Sequence, residues 1–339
     1  MELAVPIRCI GVEIAKALIL ATKTPHERPW PSVRSGPKHL VPIANRPILF
    51  HHLESLRRSG LLEATIVLED ESGAATMAAV GDGSKWGLSV GYAHCAPGTG
   101  LRGALTAARD FIADEPVLIE PAGALHRENI HPYIAAFAKE RLDAMMLTIS
   151  SAAFAKDAPT GYLFSRRAVS IVLESQGTQP DPASDVRRQG GHVRGQHIDG
   201  CVPCHGGQDR LLEGNRHMLE QMTPDVAAAG LRTCEFQGPV RVHPTAQLEH
   251  TLIRGPAVVG PRSRLSHAYV GPYTSIGADV TIEGSQIEHS IVLDGAELRH
   301  VGSRLETSVI GRGARVSRSF GLPTAMSLSV GDQAEVSLS

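Results

Sequence analysis

The chain has 339 residues, 42% of them hydrophobic, with 33 Lys and Arg against 35 Asp and Glu and a formal net charge of −2. That length accommodates two domains with full cores. The balanced charge supplies no field to hold a polyanion or an anionic membrane face, which excludes nucleic acid as an expected partner. No apolar run approaches the roughly 18–20 residues of a membrane span, and the N-terminus MELAVPIRCIGVEIAKALIL carries an acid where a secretory leader carries basic residues. The sequence therefore reads as cytoplasmic, with no membrane partner.

Residues 1–14 read as an N-terminal extension. From there the segments KALIL, PILFHHLESLRRSG, EATIVLE, LRGALTAARDFI, PVLIE, IHPYIAAFAKE and DAMMLTI alternate short apolar runs with amphipathic stretches. Runs of this kind predict strands buried on both faces of a parallel sheet with crossover helices, a doubly wound, Rossmann-like α/β domain over residues 15–236. Small-molecule ligands of such sheets bind in a cleft at the carboxyl ends of the strands.

From 237 to 339 the pattern changes to short aliphatic-glycine units such as VVGPRS, YVGPYTSIGADVTIEGS and SVIGRGARV. Val270, Ile276 and Ile282 fall six apart, with Gly271 and Gly277 after the first two. Hexapeptide repeats predict a parallel β-helix whose aliphatic residues stack inward and whose glycines allow the corners. A β-sandwich with regular turns is the competing architecture, and fixed hexad spacing argues against it.

The stretch DGCVPCHGGQD, residues 199–209, carries Cys201, Cys204 and His205 in a C-x-x-C-H arrangement. Four readings compete: covalent haem, a thioredoxin-like redox pair, part of a zinc site, or unliganded residues of a pocket. Haem attachment is disfavoured without an export signal, and the redox pair lacks its small βαβ context.

Residues 36–69, GPKHLVPIANRPILFHHLESLRRSGLLEATIVLE, together with AAVGDGSKWGLSVGYA and LLEGNRHMLEQM, resemble the sugar-1-phosphate nucleotidyltransferases, in particular the long form of glucose-1-phosphate thymidylyltransferase. YVGPYTSIGADV, IEHSIVLDGAEL and SVIGRGARV resemble the left-handed β-helix of that family. The resemblance implies attack of a sugar phosphate on a nucleoside triphosphate with two carboxylates holding Mg²⁺, and it implies a homo-oligomer.

The motifs that carry this chemistry are altered. The family's glycine-rich phosphate loop corresponds to ATKTPHERPWP, residues 21–31, which has no glycine. Arg28 and Lys38 are the cations left to meet phosphate. Ala122 and Cys204 align with the two metal aspartates, and the sugar-phosphate motif is replaced by SAAFAKDAP. Mg²⁺ is therefore disfavoured as a cofactor, since thiolate is a poor ligand for it.

Zinc is the alternative ion, with Cys201, Cys204, His205 and Cys95 as candidate ligands and Glu120 and His94 as candidate catalytic groups. Three functions follow from this reading. The first is a repurposed cleft binding a small molecule or running another reaction in a biosynthetic pathway. The second is a non-catalytic partner of another enzyme, and the third a still-active transferase.

Overall fold

The structure is a computed structural model and describes residues 16–22, 37–69, 73–126, 129–149, 159–175, 181–198, 201–204, 207–226 and 230–318. Its first unit is built on a seven-stranded sheet. From edge to edge the strands are Val193–His197, Ala144–Thr148, Pro159–Phe164, Val117–Pro121, Lys16–Ala21, Glu63–Glu69 and Ser89–Cys95. Lys16–Ala21 is an interior strand parallel to both neighbours, with Leu18 and Ile19 fully buried. Glu63–Glu69 is buried at every position after the first, as a strand covered on both faces requires.

One strand departs from the parallel expectation. Pro159–Phe164 runs antiparallel to both Val117–Pro121 and Ala144–Thr148. The chain between Thr148 and Pro159 is too short for the helical crossover that a parallel neighbour needs.

Helix Ile48–Arg58 covers one face of the sheet with Leu49, His52, Leu53 and Leu56, the spacing of a helical stripe. LRGALTAARDFI forms two helices, Gly100–Ala107 and Arg109–Ile112, rather than one. Among the described residues no helix is long and apolar enough to cross a membrane.

The second unit is a left-handed parallel β-helix of three sheets. Val259 pairs with Ile276, Ile276 with Val292 and Val292 with Ile310, so successive coils take 17, 16 and 18 residues. Val270, Ile276 and Ile282 fall on the three different sheets, and each buries its side chain in the axial core. Strand Asp225–Val226 already pairs with Val240–Val242, and Gly230–Arg232 with Gln247–Glu249, so the first coil begins upstream of the boundary expected at 237.

The hexad glycines do not work as expected. Left-handed corners are occupied by Arg262, His267, Tyr273 and Asp279, whereas Gly260 and Gly277 are not among the positive-φ residues. A Cβ at Gly260 would run into the carbonyl of Gly277 on the next coil. These glycines are needed for close approach between coils, not for backbone handedness.

The two units are fused through a shared core of Val41, Ile43, Leu125, Val202, Cys204, Leu211, Leu212, Ile291 and Leu293. The hairpin Pro42–Ile43/Arg46–Pro47 turns through Ala44 and Asn45, both with positive φ, and its tip meets the β-helix. Asn45 Nδ2 donates to Ile276 O at 2.6 Å. Asn215, from helix Gln208–Glu220, completes the seam. Its Oδ1 accepts from Ala44 N at 2.8 Å and Ser275 Oγ at 2.6 Å, and its Nδ2 donates to Tyr273 O at 2.9 Å.

Candidate functional site

At the carboxyl end of Val117–Pro121, Glu120 points into the protein rather than into solvent. It is 1% exposed, and each carboxylate oxygen meets one imidazole: His52 Nε2 at 2.9 Å and His126 Nε2 at 2.7 Å. Helix Ile48–Arg58 delivers His52, the short strand Ala124–His126 delivers His126, and Gly161 on Pro159–Phe164 leaves the space. A Cβ at Gly161 would stand 3.0 Å from Glu120 Cγ.

Burial alone would push the carboxyl's pKa up, but the His126 and His52 rings hold it well below the carboxylate range. Burial would likewise lower His126, but Glu120 and the neighbouring Cys201 outweigh it and raise that ring well above 6.5. The cluster is thus an ion pair closed off from water. Nδ1 of His52 and of His126 makes no well-formed hydrogen bond among the described residues.

The three cysteines among the expected zinc ligands fall in different cores. Cys201 packs in the core of the helix-covered sheet face, Cys204 in the seam between the two units, and Cys95 in the core on the opposite sheet face. Successive strand residues face opposite ways, so a separation of three sends the Cys201 and Cys204 sulfurs to different sides. Among the described residues no three His, Cys, Asp or Glu side chains could hold a metal ion. Arg28 and His205 lie outside the described residues.

His94 is exposed on the edge strand, beside Gly73. Three strand spacings, about 14 Å, part that strand from Glu120's, so these two candidates do not form one site. Lys38 opens a short 3-10 helix and is half-buried.

The nucleotidyl transferase family profile matches residues 16–162. The glucose-1-phosphate thymidylyltransferase of Streptomyces griseus is 31% identical over 96% of this chain and 99% of its own length. The chain belongs to the sugar-1-phosphate nucleotidyltransferase family. The thymidylyltransferase of Streptomyces antibioticus is 26% identical over 95% of this chain and 99% of its own. A Bacillus anthracis protein, described as a glucose-1-phosphate thymidylyltransferase and crystallised with a sucrose, superposes with a TM-score of 0.52 at 19% identity. It covers 59% of this chain and 93% of its own, and it supports the fold.

The resemblance aligns Ala122 and Cys204 with the metal aspartates, and neither side chain fits Mg²⁺. Ala122 offers a buried methyl group, 4% exposed. Cys204 is 2% exposed, and burial pushes its thiol well up, so it presents no anion. Glu120 has both oxygens committed to imidazoles. Sequence reasoning found Glu120 but missed His52, which reads as one member of the HH pair on an apolar helix stripe. A pair of histidines on a face that should be aliphatic was the available signal.

The Cys204 position is also sterically locked. A Cβ on Gly214 of helix Gln208–Glu220 would collide with Cys204 Sγ. Gly214→Ala is expected to cost about 1–3 kcal/mol by overpacking. Adding Cys204→Ala should recover most of that loss, because the methyl occupies the space of the sulfur. Urea denaturation of the single and double variants checks the pair, and additive losses would show that the contact is not the cause.

Proposed function

We propose that this glucose-1-phosphate thymidylyltransferase-like protein has given up Mg²⁺-dependent nucleotidyl transfer and acts as a non-catalytic partner, binding a small ligand in the strand-end cleft and presenting its β-helix for assembly. The observation that carries the reading is the Glu120 ion pair: the acid nearest the family's metal position is enclosed with two imidazoles. Ala122 and the buried Cys204 at the aligned aspartate positions support it. Homo-oligomerisation, association with a partner enzyme and a cytoplasmic setting belong to the same proposal. The zinc reading loses ground, since the ligands it needs are divided among separate cores.

The expected result is no pyrophosphate release from glucose-1-phosphate with any of the common nucleoside triphosphates and Mg²⁺, while calorimetry detects binding of a sugar phosphate or a nucleoside-diphosphate sugar. The full-length match to the Streptomyces griseus relative favours a second reading, a still-active transferase. Turnover approaching about 10 s⁻¹, the typical enzyme rate, would establish that reading and sink the first.

A further inference from the structure

Cys201 and His126 stand directly opposite each other where Cys201–Pro203 runs antiparallel to Ala124–His126. The His126 ring is fixed from its other side by the 2.7 Å hydrogen bond between Nε2 and Glu120 Oε1, and Glu120 is fixed in turn by His52. Nδ1 of His126 makes no well-formed hydrogen bond among the described residues, and Cys201 is its polar neighbour across the strand pair. His126 is 4% exposed and Cys201 8%, so bulk water has little access to either group. A carboxylate orienting an imidazole beside a thiol is the arrangement that activates a cysteine nucleophile.

The geometry points to Cys201 as a base-activated thiol, a modification site that reacts with small peroxides through His126. The thiol proton passes from Sγ to His126 Nδ1 as the two side chains close on each other. When it sits on Nδ1, the sulfur is a thiolate and the imidazolium is held by Glu120. The thiolate attacks one peroxide oxygen, forming an S–O bond as the O–O bond breaks, and the departing hydroxide takes the Nδ1 proton and leaves as water. Sulfur is oxidised to a sulfenic acid and the peroxide is reduced.

A small neutral oxidant suits a sulfur with only a narrow opening to solvent. Cys204 does not compete, because it is more deeply buried and its charged neighbours are Glu213 and Arg210 rather than an imidazole. The inference stands whether or not the protein transfers nucleotides.

Cys234 supplies an internal control, being more exposed than Cys201. The full chain is given sub-stoichiometric hydrogen peroxide, trapped with dimedone, digested and mapped by mass spectrometry. The adduct should form on Cys201 about tenfold or more ahead of Cys234, short of the roughly hundredfold minimum that acid–base assistance typically provides because Cys201 is the less accessible sulfur. His126→Asn should lower the Cys201 adduct by about tenfold or more and leave Cys234 labelling unchanged. The wild-type comparison needs no variant, so it decides even where His126→Asn fails to fold. Cys234 labelled as fast as Cys201 in the wild-type chain, or an undiminished Cys201 adduct in a folded His126→Asn chain, overturns the inference.

Discussion

Glu120→Ala should destabilise the folded chain by about 3–5 kcal/mol, the cost of breaking a buried ion pair by removing one partner. The substitution leaves His52 and His126, 0% and 4% exposed, without their acceptor and opens a void beside Gly161. Urea denaturation followed by tryptophan fluorescence measures it. A loss under about 1 kcal/mol would mean that the cluster relaxes into something nearly as good.

The pH dependence gives the same prediction a sign. Glu120 is depressed from 4.5 to about 2, so its contribution is complete above 4.5 and is lost as the pH falls toward 2. His126 is raised above 6.5, so its contribution is complete below 6.5 and is lost as the pH climbs through the raised value. The difference between parent and variant should therefore be largest between 4.5 and 6.5 and shrink on both sides. A difference that stays flat on the acid and alkaline limbs would show that the cluster is not an ion pair.

Asn215→Ala is expected to cost at least about 3 kcal/mol, the low end of roughly 1–3 kcal/mol for each of three polar groups left unpaired, since two of them are only part-buried. The groups concerned are the Ala44 amide, the Ser275 hydroxyl and the Tyr273 carbonyl, which come from both units. Asn215 itself is 0% exposed, so water does not take its place. The loss should also separate the two units on unfolding. Trp86 packs in the core of the first unit, so in a Trp30→Phe background its fluorescence reports on that unit alone, while far-ultraviolet circular dichroism reports on both. Coincident midpoints in the parent and divergent ones in Asn215→Ala are the expected result. Coincident midpoints in both would mean that the shared apolar core alone couples the units.

Much of this architecture was legible in the sequence because it is periodic. Aliphatic runs such as KALILA and EATIVLE admit little besides buried strands, and the six-residue spacing of Val270, Ile276 and Ile282 admits little besides a three-sided coil. That positions 122 and 204 hold Ala and Cys was equally legible, since it is a matter of residue identity. Direction was not. Pro159–Phe164 reads as any apolar strand, and only the length of the connection before it turns it antiparallel.

Which way the chemically active side chains point was decided by the tertiary structure alone. C-x-x-C suggests two sulfurs on one ion, yet the strand that carries Cys201 pairs with Ala124–His126 and commits that sulfur to His126, leaving Cys204 to the seam against Gly214. Glu120 reads from the sequence as a candidate catalytic acid at a strand end, but two histidines 68 and 6 positions away make it the anion of a buried ion pair. Sequence spacing sets which residues are near along one element. Contact between elements depends on register and packing, and there the free energy of enclosing a charge selects its partners.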